Sequence, residues 1–251
     1  MNDDVRNIAL GLIASALSAA LGWLARTAVW RRRLRRKRNF FGLPPNAECV
    51  LVVNRKVAGP ESSVSREDVF ALLELSALIQ ECGAHAEVLT HDGARQGFGE
   101  RAEFCLGGPV SNRRTAAHIA AMLPGISVSA EAGPGPGQAA FRIGGEHYPM
   151  VRGQSEHVLL ARLAGSGGQR PVFLICGQRS VANQAGTRYL ARHHDRLHRR
   201  YGGDSFVLLL RVVNSAAYGP DVVEPIADVT ALATTAPAPV VSGEGEREGR
   251  G

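Results

Sequence analysis

Nineteen consecutive residues from Asn7 to Ala25, NIALGLIASALSAALGWLA, carry no charge. As a helix rising about 1.5 Å per residue, they extend roughly 28 Å, close to the ~30 Å hydrocarbon core of a bilayer. The pattern predicts one transmembrane helix, with residues 1–38 forming the span and its basic flank. A linker over 39–47, marked by Gly42-Leu43-Pro44-Pro45, follows, and beyond it the pattern changes character.

From 48 to 236 short apolar runs alternate with helical periodicity. Cys49–Val53 reads as a buried strand. Ser65-Arg66-Glu67-Asp68 resembles a capping-box start, and Val69, Leu72, Leu73, Leu75, Ala77, Leu78 and Ile79 continue it as a helix to near Gly83. Strands are expected at Ala86–Leu89 and at Phe104-Cys105-Leu106, which leads into Gly107-Gly108-Pro109. A helix runs from about Asn112 to Leu123, and a short strand covers Ile126–Val128. The segment Gly133-Pro134-Gly135-Pro136-Gly137 is turn-rich, and Phe141 to Tyr148 alternates about a Gly-Gly pair as a hairpin does. Val172–Cys176, a helix from about Val181 to Arg200 and Phe206–Val213 complete the series. The alternation predicts an α/β domain with a largely parallel sheet and an antiparallel hairpin insertion or edge. Residues 237–251 end in SGEGEREGRG, which has no apolar residue and is expected to be disordered.

Charge sharpens the picture of the first segment. The chain has a formal net charge of +6, yet Arg26, Arg31, Arg32, Arg33, Arg35, Arg36, Lys37 and Arg38 fall together with no acid among them, and residues 39–241 are electrically balanced. The basic excess therefore belongs to one flank of the apolar segment. Lys and Arg are retained on the cytoplasmic side, so this asymmetry predicts a short N-terminus outside and the domain in the cytoplasm, attached to the cell membrane by a single pass. A cleaved signal peptide carries its basic region before the apolar run, the reverse of this order. Trp23 and Trp30 lie toward the cytoplasmic end, where amphipathic rings prefer the interface. The position of Arg31, Arg32, Arg33, Arg35, Arg36, Lys37 and Arg38 just inside the membrane favours contact with anionic lipid over nucleic acid. Ala14, Ser18 and Gly22 share a helix face, the spacing of close-packed helix homodimers and equally of any Ala-rich helix.

Candidate chemistry centres on an internal echo. Phe104-Cys105-Leu106-Gly107-Gly108-Pro109-Val110-Ser111-Asn112 and Phe173-Leu174-Ile175-Cys176-Gly177-Gln178-Arg179-Ser180 each read strand, Gly-x-x-Ser, helix. Glycine allows a sharp turn off a strand, and a hydroxyl or amide side chain can cap the helix that follows. Ligands of open α/β sheets bind at the carboxyl edge, where helix N-termini favour anions. The expected ligand-binding residues are Asn54 and Arg55 at the end of the first strand, Gly107, Gly108, Ser111 and Asn112 in the first turn, and Gly177, Gln178 and Ser180 in the second. The same residues equally suit purely structural roles, and both readings stay open at this stage.

The strand-turn-helix units of residues 48–213 resemble the Rossmann-like superfamily, and their glycine turns resemble those of nucleotide-processing domains of the lysine-decarboxylase-like type. That resemblance implies a nucleotide-like ligand at the glycine-turn edge. The contiguous glycine-rich signature with its catalytic Glu is absent; its closest echo, Gly186-Thr187, lacks the following acid. There is no G-x-G-x-x-G fingerprint following a strand, no Walker A sequence and no G-x-S-x-G elbow.

Other reactive residues point to structure. Cys49, Cys82, Cys105 and Cys176 sit in or beside apolar runs without metal spacing and read as reduced, buried thiols. His194 and His198 share a helix face, but the surrounding HHDRLHRR is rich in Arg and lacks the acid of H-E-x-x-H, so a solvated or nucleic-acid-facing surface is expected rather than a metal site. No cofactor or general base is nominated. The function expected is a membrane-anchored domain that binds a small anionic, nucleotide-like ligand, as sensor or as ligand-cleaving enzyme. The alternative is a non-catalytic module that recruits a protein partner to the membrane.

Overall fold

The computed structural model describes residues 2–54, 63–93, 97–129, 140–165 and 167–236. The chain begins with α1 (Asn2–Phe41), a single helix of 40 residues and so roughly 60 Å long. Leu10, Leu12, Ile13, Leu17, Leu21, Trp23 and Leu24 are all exposed on it, and its apolar stretch is long enough to cross a membrane and touches nothing in the folded body.

The body follows as β1 (Glu48–Val53), α2 (Arg66–Glu81), β2 (His85–Thr90), β3 (Ala102–Leu106), α3 (Arg113–Met122), β4 (Ile126–Val128), β5 (Phe141–Ile143) and β6 (Glu146–Tyr148). After these come β7 (Ser155–Leu163), β8 (Val172–Gly177), α4 (Ser180–Tyr201), β9 (Phe206–Val213), α5 (Ser215–Tyr218), β10 (Val223–Asp228) and α6 (Thr230–Thr234). Seven strands form one sheet in the order β10-β9-β7-β8-β3-β1-β2. Strands β2, β1, β3 and β8 are mutually parallel, and β9 shares their direction because β7 lies antiparallel between β8 and β9. This is an α/β Rossmann-like fold.

Two strands of the sheet lie outside the alternation read from the sequence. Strand β7 is buried along almost its whole length, and such a run lacks the period-two signal of a half-exposed strand. Strand β10 carries Pro225 and a register shift, both of which suit an edge. The Gly144-Gly145 hairpin forms, with both glycines at positive φ, but it joins β4 in a separate antiparallel sheet, β4-β5-β6. The Gly133–Gly137 turn-rich stretch and the tail 237–251 lie outside the described residues.

Alternate residues of the buried strands feed two cores. One joins the sheet to α2, α4 and the end of α1; the other joins it to α3, α6 and the small sheet. The stretch read as a linker over 39–47 contributes to the first core. Phe40, Phe41 and Leu43 have no exposed surface, and α1 enters the body without a break. Phe40 stacks on Phe206 at 6.3 Å, and Phe41 lies 5.4 Å from Phe173 and 6.1 Å from Phe104. Polar ties hold the same junction. Arg38 Nε donates to the Cys82 carbonyl at 2.7 Å, Lys37 pairs with Glu81, and Arg162 Nε donates to the Phe40 carbonyl at 3.1 Å. Phe173 and Phe206 stand at the amino ends of β8 and β9, so α1 docks at the pole opposite the carboxyl edge.

His194 and His198 face this junction rather than solvent. The His194 ring lies 5.7 Å from Phe41 and the His198 ring 5.9 Å from Phe40. Their four-residue spacing serves the packing of one helix end against another.

Candidate functional site

At the carboxyl edge, both glycine turns form, and each is tied down by side chains. Gly107 has φ +100°, and a Cβ there would lie 2.6 Å from that of Asn54. Asn112 caps α3 by accepting from the amides of Arg114 and Thr115, while its own amide donates to the Leu106 and Val52 carbonyls. One side chain thus joins β1, β3 and α3. Ser111 Oγ donates to the Gly108 carbonyl. In the second turn the Gly177 amide donates to Asn183 Oδ1 at 2.7 Å, and no side chain fits beside it because a Cβ would meet the Asn183 nitrogen at 2.6 Å. Gln178 is also internal, accepting from the His157 amide and donating to the Tyr148 carbonyl.

Between the turns lies a buried polar network. Asp68 accepts from Asn54 Nδ2 at 3.1 Å, Ser65 Oγ at 2.6 Å and Asn183 Nδ2 at 2.8 Å. These bonds lock β1, α2 and α4 together. Such groups inside a protein remain costly unless they are paired.

A cleft of about 820 Å³ opens beside the second turn. Its walls come from the amino ends of α2 and α4, from Arg152 and Gly153 ahead of β7, and from α5 and the loop after it. Ser180 lines it; Asn54, Gly107, Gly108, Ser111, Asn112, Gly177 and Gln178 do not. Arg55 lies outside the described residues. The two serines of the sequence echo therefore do not face one common cleft. What the fold brings together there is a set of four arginines, Arg66, Arg152, Arg179 and Arg188, with Glu67 and Phe70.

The arginines differ in their partners. Arg179 Nη1 meets Glu156 Oε1 at 2.6 Å, Arg188 bridges Glu74 and Asp221 at 2.7 Å each, and Arg66 pairs with Glu67 at 3.2 Å. Arg152 has no carboxylate partner among the described residues and is exposed. Helix α2 is capped by Ser65 and carries Glu67 and Asp68 in its first turn, whereas α4 has neither a side-chain cap nor an acid there. Among the described residues, the acid nearest the start of α4 comes from α2: Glu67 Oε2 lies 3.4 Å from Ser180 Oγ. Glu67 is held below the usual carboxylate range, first by its own backbone amide and then by hydrogen bonds from Arg66 and Ser180, against a burial effect in the other direction. It is a charged acceptor at neutral pH.

The sequence offered only partial signals for this set. Arg179 sits within the second turn, and Glu67 within the capping segment. Arg152 precedes a strand that the alternation did not reveal, and Arg188 arrives from two turns further along α4.

A second polar group lies beneath α3. Glu103, fully buried on β3, accepts from Arg114 Nε at 2.7 Å, Arg114 Nη2 at 2.9 Å and Cys105 Sγ at 3.1 Å, with His118 Nε2 at 3.0 Å. Burial by itself raises the Glu103 pKa, but the bonds from His118, Arg114 and Cys105 outweigh it and hold the carboxyl well below its ordinary value. Glu103, Cys105 and His118 have donor atoms within 4.8 Å of one another. Both carboxylate oxygens are nevertheless engaged by the Arg114 guanidinium, which supplies the positive charge that a cation would bring. All four cysteines are buried and unpaired. Desolvation pushes the thiols of Cys49 and Cys176 up to about 12, the opposite of what a nucleophile requires.

No protein-family model matches the chain, and no curated protein matches it either.

Proposed function

We propose that the protein is a single-pass, membrane-anchored α/β domain that binds a small anionic, nucleotide-like ligand in the cleft at the carboxyl edge of its sheet. The N-terminus lies outside and the body in the cytoplasm. The observation that carries the reading is the meeting of four arginines, one of them without a carboxylate partner, with the uncapped amino end of α4. Arginine presents a planar fork of donors suited to phosphate and carboxylate, and a helix N-terminus adds aligned backbone N–H groups. Arg179 and Arg188 keep donors free after meeting their carboxylates, so they orient an anion while Arg152 supplies unbalanced charge. The domain acts on such a ligand as a sensor or as a ligand-cleaving enzyme.

The anchor reading rests on the exposed apolar helix and the basic run after it. Arg31, Arg32, Arg33, Arg35 and Arg36 provide the contact with anionic lipid. Lys37 and Arg38 are engaged with Glu81 and the Cys82 carbonyl and serve the junction instead. Ala14, Ser18 and Gly22 lie on the exposed apolar helix, where a second copy of it can approach closely.

A second reading, recruitment of a protein partner, is favoured by one feature: Val69, Phe70 and Leu73 form an exposed apolar strip on α2.

The test is thermal unfolding of the full chain in detergent micelles against a panel of nucleotides and simple phosphates. At a hundredfold excess over Kd a specific ligand stabilises by about 2.7 kcal/mol. Arg152→Ala is expected to abolish that gain while leaving the ligand-free midpoint in place. A panel that moves nothing, or a gain that survives Arg152→Ala combined with Arg179→Ala, refutes the site. For topology, a C-terminal reporter active only outside the cytoplasm overturns the orientation.

A further inference from the structure

We infer that the cleft takes a ribonucleoside phosphate, with its ring on Phe70, its ribose hydroxyls on Glu67 and its phosphate at the amino end of α4 beside Arg152. This inference rests on the anion-binding reading of the cleft and concerns which anion it accepts.

A carboxylate in an arginine-lined cleft is the fact to be explained. Glu67 repels a bare phosphate placed against it, yet it is an acceptor for a pair of hydroxyl donors, the role an acidic residue plays toward a ribose in dinucleotide-binding folds. Phe70 is one helical turn further along α2, so the two side chains share a face about 5–6 Å apart. Ser180, the first residue of α4, also reaches Glu67, its Oγ 3.4 Å from Oε2. In the cleft the carboxylate therefore adjoins both the aromatic face and the helix amino end. A nucleotide likewise presents a ribose joined to both ring and phosphate.

The exposure of Phe70 supports the assignment. It is 46% exposed and lines the cleft. An aromatic ring left open beside arginines is a stacking surface for a flat heterocycle, an interaction tolerant of base identity. Arg152 and Arg179, which line the same cleft, then meet the charge of the phosphate.

The experiment measures binding by isothermal titration to the full chain in micelles. The probes are the four ribonucleoside 5′-mono- and diphosphates, their 2′-deoxy counterparts, ribose 5-phosphate, inorganic phosphate and pyrophosphate. At least one ribonucleotide is expected to bind roughly tenfold or more tightly than its 2′-deoxy form, the scale of a hydrogen bond to a charged acceptor. Glu67→Gln should erase that discrimination while keeping phosphate binding. Phe70→Ala should weaken the nucleotide by about tenfold yet leave ribose 5-phosphate unchanged. Ligand-free unfolding midpoints of both variants report whether the fold is intact. If deoxy forms or pyrophosphate bind as tightly as every ribonucleotide, the assignment to ribonucleosides falls and the anion cleft stands. If no probe binds, inorganic phosphate included, the reading of the cleft itself falls.

Discussion

Replacing Phe41 with alanine tests whether the membrane-side helix and the body are one folding unit. The Phe41 ring is fully buried, with the rings of Phe40, Phe173, His194 and Phe104 at 4.9, 5.4, 5.7 and 6.1 Å. These neighbours belong to α1, β8, α4 and β3, so no local collapse can fill the space left behind. Truncation of a buried Phe in such a setting costs about 3–5 kcal/mol, against a total stability of about 5–15 kcal/mol for a domain. With a urea m-value near 3 kcal/mol/M, the midpoint should fall by about 1–1.7 M. The assay is far-UV circular dichroism of the full chain in micelles, where the apolar half of α1 stays helical and the change reports the body. Leu21→Ala, on the exposed half of α1, serves as the control and should leave the midpoint unmoved. A Phe41→Ala midpoint within about 0.3 M of the parent refutes the claim that α1 is built into the core. The same reasoning predicts that a body cut free after residue 41 is unstable, because it lacks both Phe40 and Phe41.

Three further outcomes follow from the same geometry. Asn112→Ala removes the cap of α3 and both donations to the β1 and β3 carbonyls. It should cost at least ~2 kcal/mol in urea unfolding, whereas Ser111→Ala, which loses one local bond to Gly108, should stay within ~0.5 kcal/mol. Glu103 titrates below its unfolded value of about 4.3, so its contribution is fully present above that pH and is lost as the pH falls toward the folded value. The parent should therefore lose stability progressively as the pH falls below about 4.3, and Glu103→Gln, weaker at pH 6, should show a flatter profile over that acid range. A parallel pair of profiles would show that the Glu103 bonds to Arg114, His118 and Cys105 do not stabilise its charged form. The four thiols should resist iodoacetamide at pH 8 in the folded chain and react within minutes in urea, since all are buried. Labelling of Cys105 or Cys176 in the native protein would reopen a nucleophilic role.

Much of the architecture is written locally. The uncharged run of α1, the apolar runs of β1, β8 and β9, the Ser65 and Asn112 caps and the Gly-Gly hairpin are each decided by residues close in sequence. Hydrophobic period, capping and turn chemistry act over such distances, and these elements appear nearly where the sequence places them. The buried β7 lacked this legibility, because a strand covered on both faces has no polar alternation to mark it. The two glycine turns also form at the ends of β3 and β8, where the sequence places them.

Tertiary structure alone decided which side chains meet. Arg66, Arg152 and Arg179 come from three separate segments, and the antiparallel insertion of β7 is what carries Arg152 to the carboxyl edge. The residues singled out by the sequence echo are mostly engaged in holding that edge together, and arginines from other segments line the cleft beside it. Likewise, nothing local distinguishes Phe40 and Phe41 at the end of a basic helix from residues of a tether; their burial depends on Phe104, Phe173 and Phe206, which lie more than sixty positions away. Local propensity sets the elements, but charge convergence and core membership are sums over the whole fold, and only the packed chain can evaluate them.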